Sequence, residues 1–531
     1  MKKIASTILL LFVFLIGSAQ EKKLTWEELK NEFECPQWFE NAGFGVWAHW
    51  GAQVQPEMGG GWYARHLYMP DVGKQLWGKN AYKYHCEHYG HPSEFGYKDV
   101  LNEWKAKNLD TDVLLKYFKK IGAKYFMILA NHHDRFDNFN STYFEWNSVN
   151  VGPHKDIVGE FEKSSRKYGL PFGVSSHDDR FLKWWLPAFG ADKTGPYKGV
   201  PYDGHMTKAD GIGKWWEGLD PANLYGLPPE KRTPEWETKM KETWVKRHRE
   251  LVTKYDVDML WFDGHDFPYG KYGKEVCTDF YNYKLKKYGK LNAIVCGKFT
   301  DEPSTIKDFE KGGSSIILPK RWQGTLSINS WFYKKDRPNK HNARTVIETL
   351  VDVNSKNGNL LLNIALLPDG TMPKDQKEIF DKVGEWMKIN GDAIYACKPW
   401  KIYGDNLRSD ANHANSDNIR EVDAKELKKQ LQNDQFNQRT IASPMFHSNE
   451  VRFTTKKGTL YMFVLNPQKG QIKIPSLGTS SKQQPGHIKS IKMLGARKKV
   501  DYQQKEDGLI LNVPNHRPTN FVTVFEIKGV D

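Results

Sequence analysis

The chain has 531 residues, of which 39% are hydrophobic and 27% charged, a composition that supports a sizeable core and excludes wholesale disorder. The formal charge of +14 suits an anionic partner as well as it suits a lysine-solvated surface. Five scattered Cys without a CxxC pair argue against both a disulfide framework and a thiolate zinc site.

The N-terminus reads as an address rather than as fold. Lys2 and Lys3 precede the apolar run Ile8–Ile16 and the small residues Gly17, Ser18 and Ala19. The run is too short to cross a hydrocarbon core of ~30 Å as a helix. A signal peptide over residues 1–19 is expected, with export to a periplasm or out of the cell. No later stretch is long and apolar enough to predict a membrane span. Export combined with basic charge points to a sulfated or uronate-bearing glycan rather than to nucleic acid.

Strand-like runs follow at Phe44–Trp50, Lys124–Ala130, Pro171–Ser175, Asp258–Phe262, Ala293–Cys296 and Asn359–Ile364. Amphipathic stretches separate several of them. The clearest starts at Thr233-Pro234-Glu235, an N-cap followed by Pro at the first helical position, and carries Trp236, Met240, Trp244 and Leu251 on or near one face. This alternation predicts an α/β domain over residues 20–400. A (β/α)8-like barrel is favoured over a doubly wound sheet, because no Gly-rich phosphate turn follows the first strand. Residues 401–449 are polar and read as a connection. Residues 450–531 carry short alternating strands with Gly, Pro and Asn between them, the pattern of an antiparallel β-sandwich.

Ionisable residues fall at the expected C-terminal ends of barrel strands, where barrel enzymes hold their active sites. His49 closes the first run, His132, His133 and Asp134 follow the second, and Asp263 ends Met259-Leu-Trp-Phe. A carboxylate leaving a rigid buried strand before Gly264 suits a glycosidase nucleophile; a turn-capping Asp is the plainer reading. His132 and His133 suit sugar hydroxyls better than a metal, because neighbours on a strand point to opposite faces.

Taken together these blocks resemble glycoside hydrolase family 29, the α-L-fucosidases. Phe44-Gly-Val-Trp-Ala-His49-Trp50-Gly51 is similar to that family's FG-x-x-x-HWG. Gly122–Phe126 with His132-His133-Asp134, Trp146–Val149, Lys155–Gly159, Trp261-Phe-Asp263-Gly264, Ser330–Tyr333 and Leu350–Ile364 resemble later blocks in the same order. The resemblance runs from about residue 24 to the C-terminus. It implies a retaining exo-glycosidase with Asp263 as nucleophile, His49, His132 and His133 on sugar hydroxyls, and Trp62, Trp261 and Trp331 lining the pocket. It implies no metal or organic cofactor. For the acid/base, Glu310 in Asp308-Phe-Glu-Lys-Gly is preferred over Glu302.

Three departures stand out. Gly61 occupies the place of the family's Glu before Trp-Tyr. Ser175-Ser176 replaces an aromatic pair. Arg135 replaces the Gly after His-His-Asp. A lost carboxylate, added space and an added guanidinium suggest a fucose-like sugar such as L-galactose, or a sulfated one, with Arg135 on the anion. An ion pair of Arg135 with Asp134 or Asp137 is the structural alternative. A carbohydrate-binding relative without catalysis is the alternative at the level of function.

Overall fold

The computed structural model describes residues 23–71, 80–299, 302–311, 313–407 and 448–530. The expected leader, residues 1–19, and residues 408–447 of the expected connection lie outside them.

Eight parallel strands close into a barrel in sequence order: β1 (Phe44–Ala48), β2 (Phe126–Asn131), β3 (Phe172–Ser176), β4 (Met259–Phe262), β5 (Ile294–Gly297), β6 (Thr305–Glu310), β7 (Trp322–Ser327) and β8 (Gly358–Asn363). β1 pairs with β2 on one side and β8 on the other, with Phe44 opposite Leu360 and Trp47 opposite Asn363.

Every second residue decides which core it joins. Trp47, Tyr125, Met127, Met259, Trp261, Ile294, Cys296, Ile306 and Leu361 fill the barrel interior. Their neighbours Phe44, Val46, Phe126, Ile128, Phe172, Val174, Leu260, Phe262 and Val295 face the surrounding helices. Both faces of these strands are buried, so their sequences read as near-continuous apolar runs. Gly45 is required by the interior: a Cβ there would lie 2.4 Å from the Tyr125 ring.

β6 and β7 were not expected from the sequence. The inward residues of β6 are Ile306, Asp308 and Glu310, and those of β7 include Gln323 and Thr325. The Gln323 amide and the Thr325 hydroxyl donate to the Asp308 carboxylate at 3.0 and 3.3 Å. Polar residues at inward positions erase the apolar signal that marks the other six strands.

The expected amphipathic helix spans Pro234–Lys254, and the Thr233 hydroxyl accepts the Trp236 N–H at 3.2 Å. Met240, Trp244, Val245, Leu251 and Val252 are its buried apolar side chains. Thr233→Ala should lower stability by about 1 kcal/mol, read from the urea midpoint, with activity unaffected.

The C-terminal module is antiparallel, as expected, but it starts earlier than residue 450. β9 (Lys398–Asp405) pairs with β10 (Val451–Lys456), so the expected boundary at 400 falls inside a strand. The order of the larger sheet is β13 (Ser490–Met493), β16 (Thr523–Lys528), β11 (Thr459–Val464), β10, β9. A second sheet joins β12 (Gly470–Ile474), β15 (Gly508–Val513) and β14 (Tyr502–Lys505). Leu460, Met462, Val464, Phe525 and Ile527 pack toward the smaller sheet. Tyr461, Phe463 and Val524 pack toward the barrel core. Arg452 is buried on that side, 2.6 Å from Asp352 of the helix Ala343–Ser355 and 2.8 Å from Glu450. Among the described residues no helix is long and apolar enough to cross a membrane.

Candidate active site

The inward register of the strands, carried one step past their C-terminal ends, builds the site. Trp47 leads to His49, Ser175 to His177, Trp261 to Asp263, Cys296 to Lys298, and Asp308 to Glu310. These side chains meet in a cavity of about 120 Å³ whose walls also include Trp47, Trp62, His132, His133, Arg180, Trp261 and Trp331.

Lys298 is the centre of the arrangement. Its ammonium donates to Asp263 Oδ1 at 2.6 Å and to Glu310 Oε2 at 2.8 Å. The two carboxylate oxygens therefore lie no farther apart than the sum of those distances. Burial alone would raise the pKa of Asp263, but the Lys298 ammonium above all, with Arg180, outweighs it and holds the group well below the ordinary carboxylate range. Arg180 Nη2 reaches Asp263 Oδ2 at 3.3 Å. Burial would lower the pKa of Lys298, but the two carboxylates raise it. The Trp331 indole N–H donates to Glu310 Oε1 at 2.9 Å. Beneath them, burial pushes Asp308 up to about 7.

The histidines are neutral. Burial lowers His133 to about 4 and His49 to about 3, and it holds His132 and His177 well below the ordinary imidazole value. Gln53 fixes the tautomer of His132. Its Oε1 accepts the Ala64 N–H at 3.5 Å, and its amide N–H donates to His132 Nδ1 at 2.9 Å. His132 Nε2 then carries a proton. His133 is the reverse: its Nδ1–H donates to the His177 carbonyl at 2.7 Å, leaving a lone pair on Nε2. One ring offers a donor and the other an acceptor, a matched pair for hydroxyl groups. His49 Nε2 lies 3.3 Å from His177 Nε2.

Asp263, Glu310, His49, Trp62, His132, His133, Trp261 and Trp331 thus come together as expected. Glu302 does not join them: it precedes β6, and its charge acts on Lys30 and Cys277, outside the cavity. Arg135 does not join them either. Its backbone is left-handed, φ 67°, which accounts for glycine at this place in the family pattern. Its guanidinium is buried 4.1 Å from the Phe181 ring centroid and 5.1 Å from that of Phe144. The ion pairs weighed for it are absent. Asp137 is held by Arg247, and Asp134 accepts from Tyr97 at 2.5 Å. Arg180 and Lys298 supply the cations in the cavity, and sequence reasoning assigned neither of them a role. Lys298 is visible in hindsight as the next inward position after Ile294 and Cys296.

Nor does Gly61 create space. A Cβ there would lie 2.9 Å from His132 Cε1 and 3.0 Å from Phe332 Cε2, so the vacated direction is filled. Gly61→Glu should displace His132 and lower kcat/KM on an α-L-fucoside about tenfold. Unchanged or improved turnover would show that the pocket yields to the side chain.

The sequential set His132, His133, Asp134 does not converge on a common point, since Asp134 turns to Tyr97. Two other donor sets have their ligand atoms within 4.8 Å of one another: His49, His132 and His177, and His133, Asp179 and Asp263. Both draw on the walls of the cavity.

A family model described as Alpha-L-fucosidase matches residues 12–392, and one described as Alpha-L-fucosidase C-terminal domain matches residues 446–528. The chain belongs to the alpha-L-fucosidase family. It is a glycoside hydrolase of that type. Its relatives include the tissue alpha-L-fucosidase of Mus musculus, 26% identical over 524 residues, with 93% of this chain and 91% of the relative covered. The tissue enzyme of Bos taurus is 29% identical over 390 residues, covering 71% and 72%. Among solved structures, the Thermotoga maritima alpha-fucosidase in complex with fucose aligns with a TM-score of 0.66 at 24% identity, covering 94% of this chain and 99% of that one. The barrel with its C-terminal sheets is the fold of that enzyme.

Proposed function

We propose that the fucosidase is an exported, retaining exo-glycosidase that releases a terminal α-L-fucose, or a fucose-like L-galactose, from a glycan. The observation that carries the retaining mechanism is the single ammonium held by both carboxylates. Retaining enzymes keep the pair ~5–5.5 Å apart, whereas inverting enzymes need ~6.5–9.5 Å to admit a water. That Asp263 and Glu310 share the one Lys298 ammonium supports the retaining reading.

Asp263 is ionised and attacks the anomeric carbon. Glu310 gives its proton to the glycosidic oxygen, the carbon–oxygen bond breaks, and the leaving group departs as an alcohol. The sugar is then an ester of Asp263. Glu310, now a carboxylate, takes a proton from water as the water attacks the same carbon and frees Asp263. His132 and His133 hold hydroxyls through their complementary ring nitrogens, and Trp47 and Trp261 of the barrel interior close the cavity below. That closure favours action at a chain end.

Exposure to 4-nitrophenyl α-L-fucoside tests the reading, with the first-formed sugar followed by proton NMR. The α-anomer should appear first and mutarotate later. A β-anomer would assign inversion and overturn it. The α-L-galactoside run beside it sets the preference at C6. Recovery of a mature chain beginning near Gln20 outside the cytoplasm is the expected result for export; an intact Met1 there, or a wholly cytoplasmic protein, overturns it.

A further inference from the structure

Beyond the sugar cavity lies a second hollow of about 330 Å³. The two share His49, Trp62, His132, Arg180, Lys298, Glu310 and Trp331. Glu310 stands in that shared wall. Under the proposed mechanism the glycosidic oxygen sits beside Glu310, so the group that leaves with that oxygen extends into this hollow.

Its charge is strongly one-sided. Among the described residues, six cations line it, Arg180, Lys298, Lys311, Lys334, Arg337 and Lys340, against the single carboxylate of Glu310. Lys298 is already engaged by Asp263 and Glu310. Among the described residues, no carboxylate lies within ion-pair distance of Lys311, Arg337 or Lys340, and Lys311 rests over the Trp331 ring at 5.1 Å.

The loop that carries three of these cations is anchored. The Asn329 side-chain amide donates to the Arg337 carbonyl. The Lys340 and His341 N–H groups both donate to the Ile328 carbonyl, at 2.9 and 3.1 Å, and the Lys335 N–H donates to the Glu57 carbonyl at 3.1 Å. The facing turn is cut to fit. Gly60 is left-handed, φ 60°, and a Cβ there would lie 2.9 Å from Lys334 Cε, so glycine lets the lysine stem cross the turn.

Holding these cations together is unfavourable in the free protein. Burial, then Arg337, Lys311 and Lys340, lower Lys334 to about 8. Lys340 is lowered by burial and by Arg337. A bound anion relieves that repulsion.

We propose that this hollow is a leaving-group subsite for an anionic sugar, whose sulfate ester or carboxylate is held by Lys311, Lys334, Arg337 and Lys340. The inference rests on the catalytic reading above for the side of the bond it assigns. It replaces Arg135 with a cation set outside the fucose cavity, and it moves the negative charge from the released sugar to the sugar left behind.

The experiment is calorimetric titration of the full-length Asp263→Asn protein with three α-L-fucosyl disaccharides. Their second sugars are galactose, a galactose sulfate and a uronic acid. At 50 mM salt at least one anionic ligand should bind ten times or more tighter than the neutral one, and the advantage should shrink at 300 mM. The sulfate and uronate arms identify which anion the subsite accepts. Adding Arg337→Gln and Lys340→Gln should abolish the ratio. Lys311→Gln alone should reduce it, which keeps the test available if the double substitution unfolds. Equal affinities, or an advantage that survives these substitutions, overturn the subsite. Turnover of the uncharged 4-nitrophenyl α-L-fucoside and α-L-galactoside by the wild type reports on the catalytic reading separately: absence of both overturns that reading, while equal affinities overturn the subsite alone.

Discussion

Asp263→Asn should lower kcat on 4-nitrophenyl α-L-fucoside by about four orders of magnitude, equivalent to ~5.5 kcal/mol of lost transition-state stabilisation. The amide is nearly isosteric and keeps the fold, but it carries no charge to meet the anomeric carbon. Asp263→Gly separates nucleophile from bystander. It leaves a gap on the attacking face, and added azide can enter there and expel nitrophenolate, which needs no proton from Glu310. The product should be β-L-fucosyl azide, with the anomeric configuration inverted in one displacement. An α-azide, or residual activity above one hundredth in Asp263→Asn, would assign the nucleophile elsewhere.

Lys298→Gln should reduce kcat/KM at pH 7 by a factor of about 10²–10³, or ~3–4 kcal/mol, through charge rather than shape. Two buried carboxylates would face each other without the ammonium between them, and like charges at that separation resist joint ionisation. The sign follows from Asp263. Lys298 helps to lower its pKa, so in the wild type activity is not lost to its protonation until the pH is far below the ordinary carboxylate range. Without the lysine the pKa of Asp263 rises. Activity then disappears as pH falls through a higher value, moving the acid limb of kcat/KM upward by at least one unit. Lys298→Arg keeps the cation and should keep the limb. An unmoved limb in Lys298→Gln would show that the ammonium is structural only.

The proposed nucleophile Asp263 and the two adjacent histidines were legible because each ends an apolar strand, where a polar residue has few structural uses. Six barrel strands were legible for the same reason. β6 was not, and β6 carries Glu310. Its inward positions hold Asp308 and Glu310, so polar side chains removed the pattern by which strands are recognised. Glu310 was found by likeness to a family block and not by periodicity. Arg135 shows the opposite failure. A substitution in a site motif invited a role in the site, but the backbone at that position is left-handed and carries the side chain between Phe144 and Phe181. The motif placed the residue correctly along the chain and left its direction undetermined. Gly61 misled similarly, because the space a missing side chain leaves depends on what packs into it, here His132 and Phe332.

The larger C-terminal sheet is wetted on neither face near its centre. Tyr461, Phe463 and Val524 complete the barrel's outer core, while Met462, Val464 and Phe525 belong to the module's own core. The Trp386 indole N–H, from the helix Lys374–Asn390, donates to the Val522 carbonyl at 2.8 Å, and Arg452 reaches Asp352 across the same seam. The sheet is therefore shared property, and neither part has a complete hydrophobic interior without the other. Heating should melt the molecule in one endotherm rather than two, and a chain cut before Lys398 would expose a barrel flank that never meets water in the intact enzyme. Grafting this catalytic barrel onto another scaffold would have to take the sheet with it.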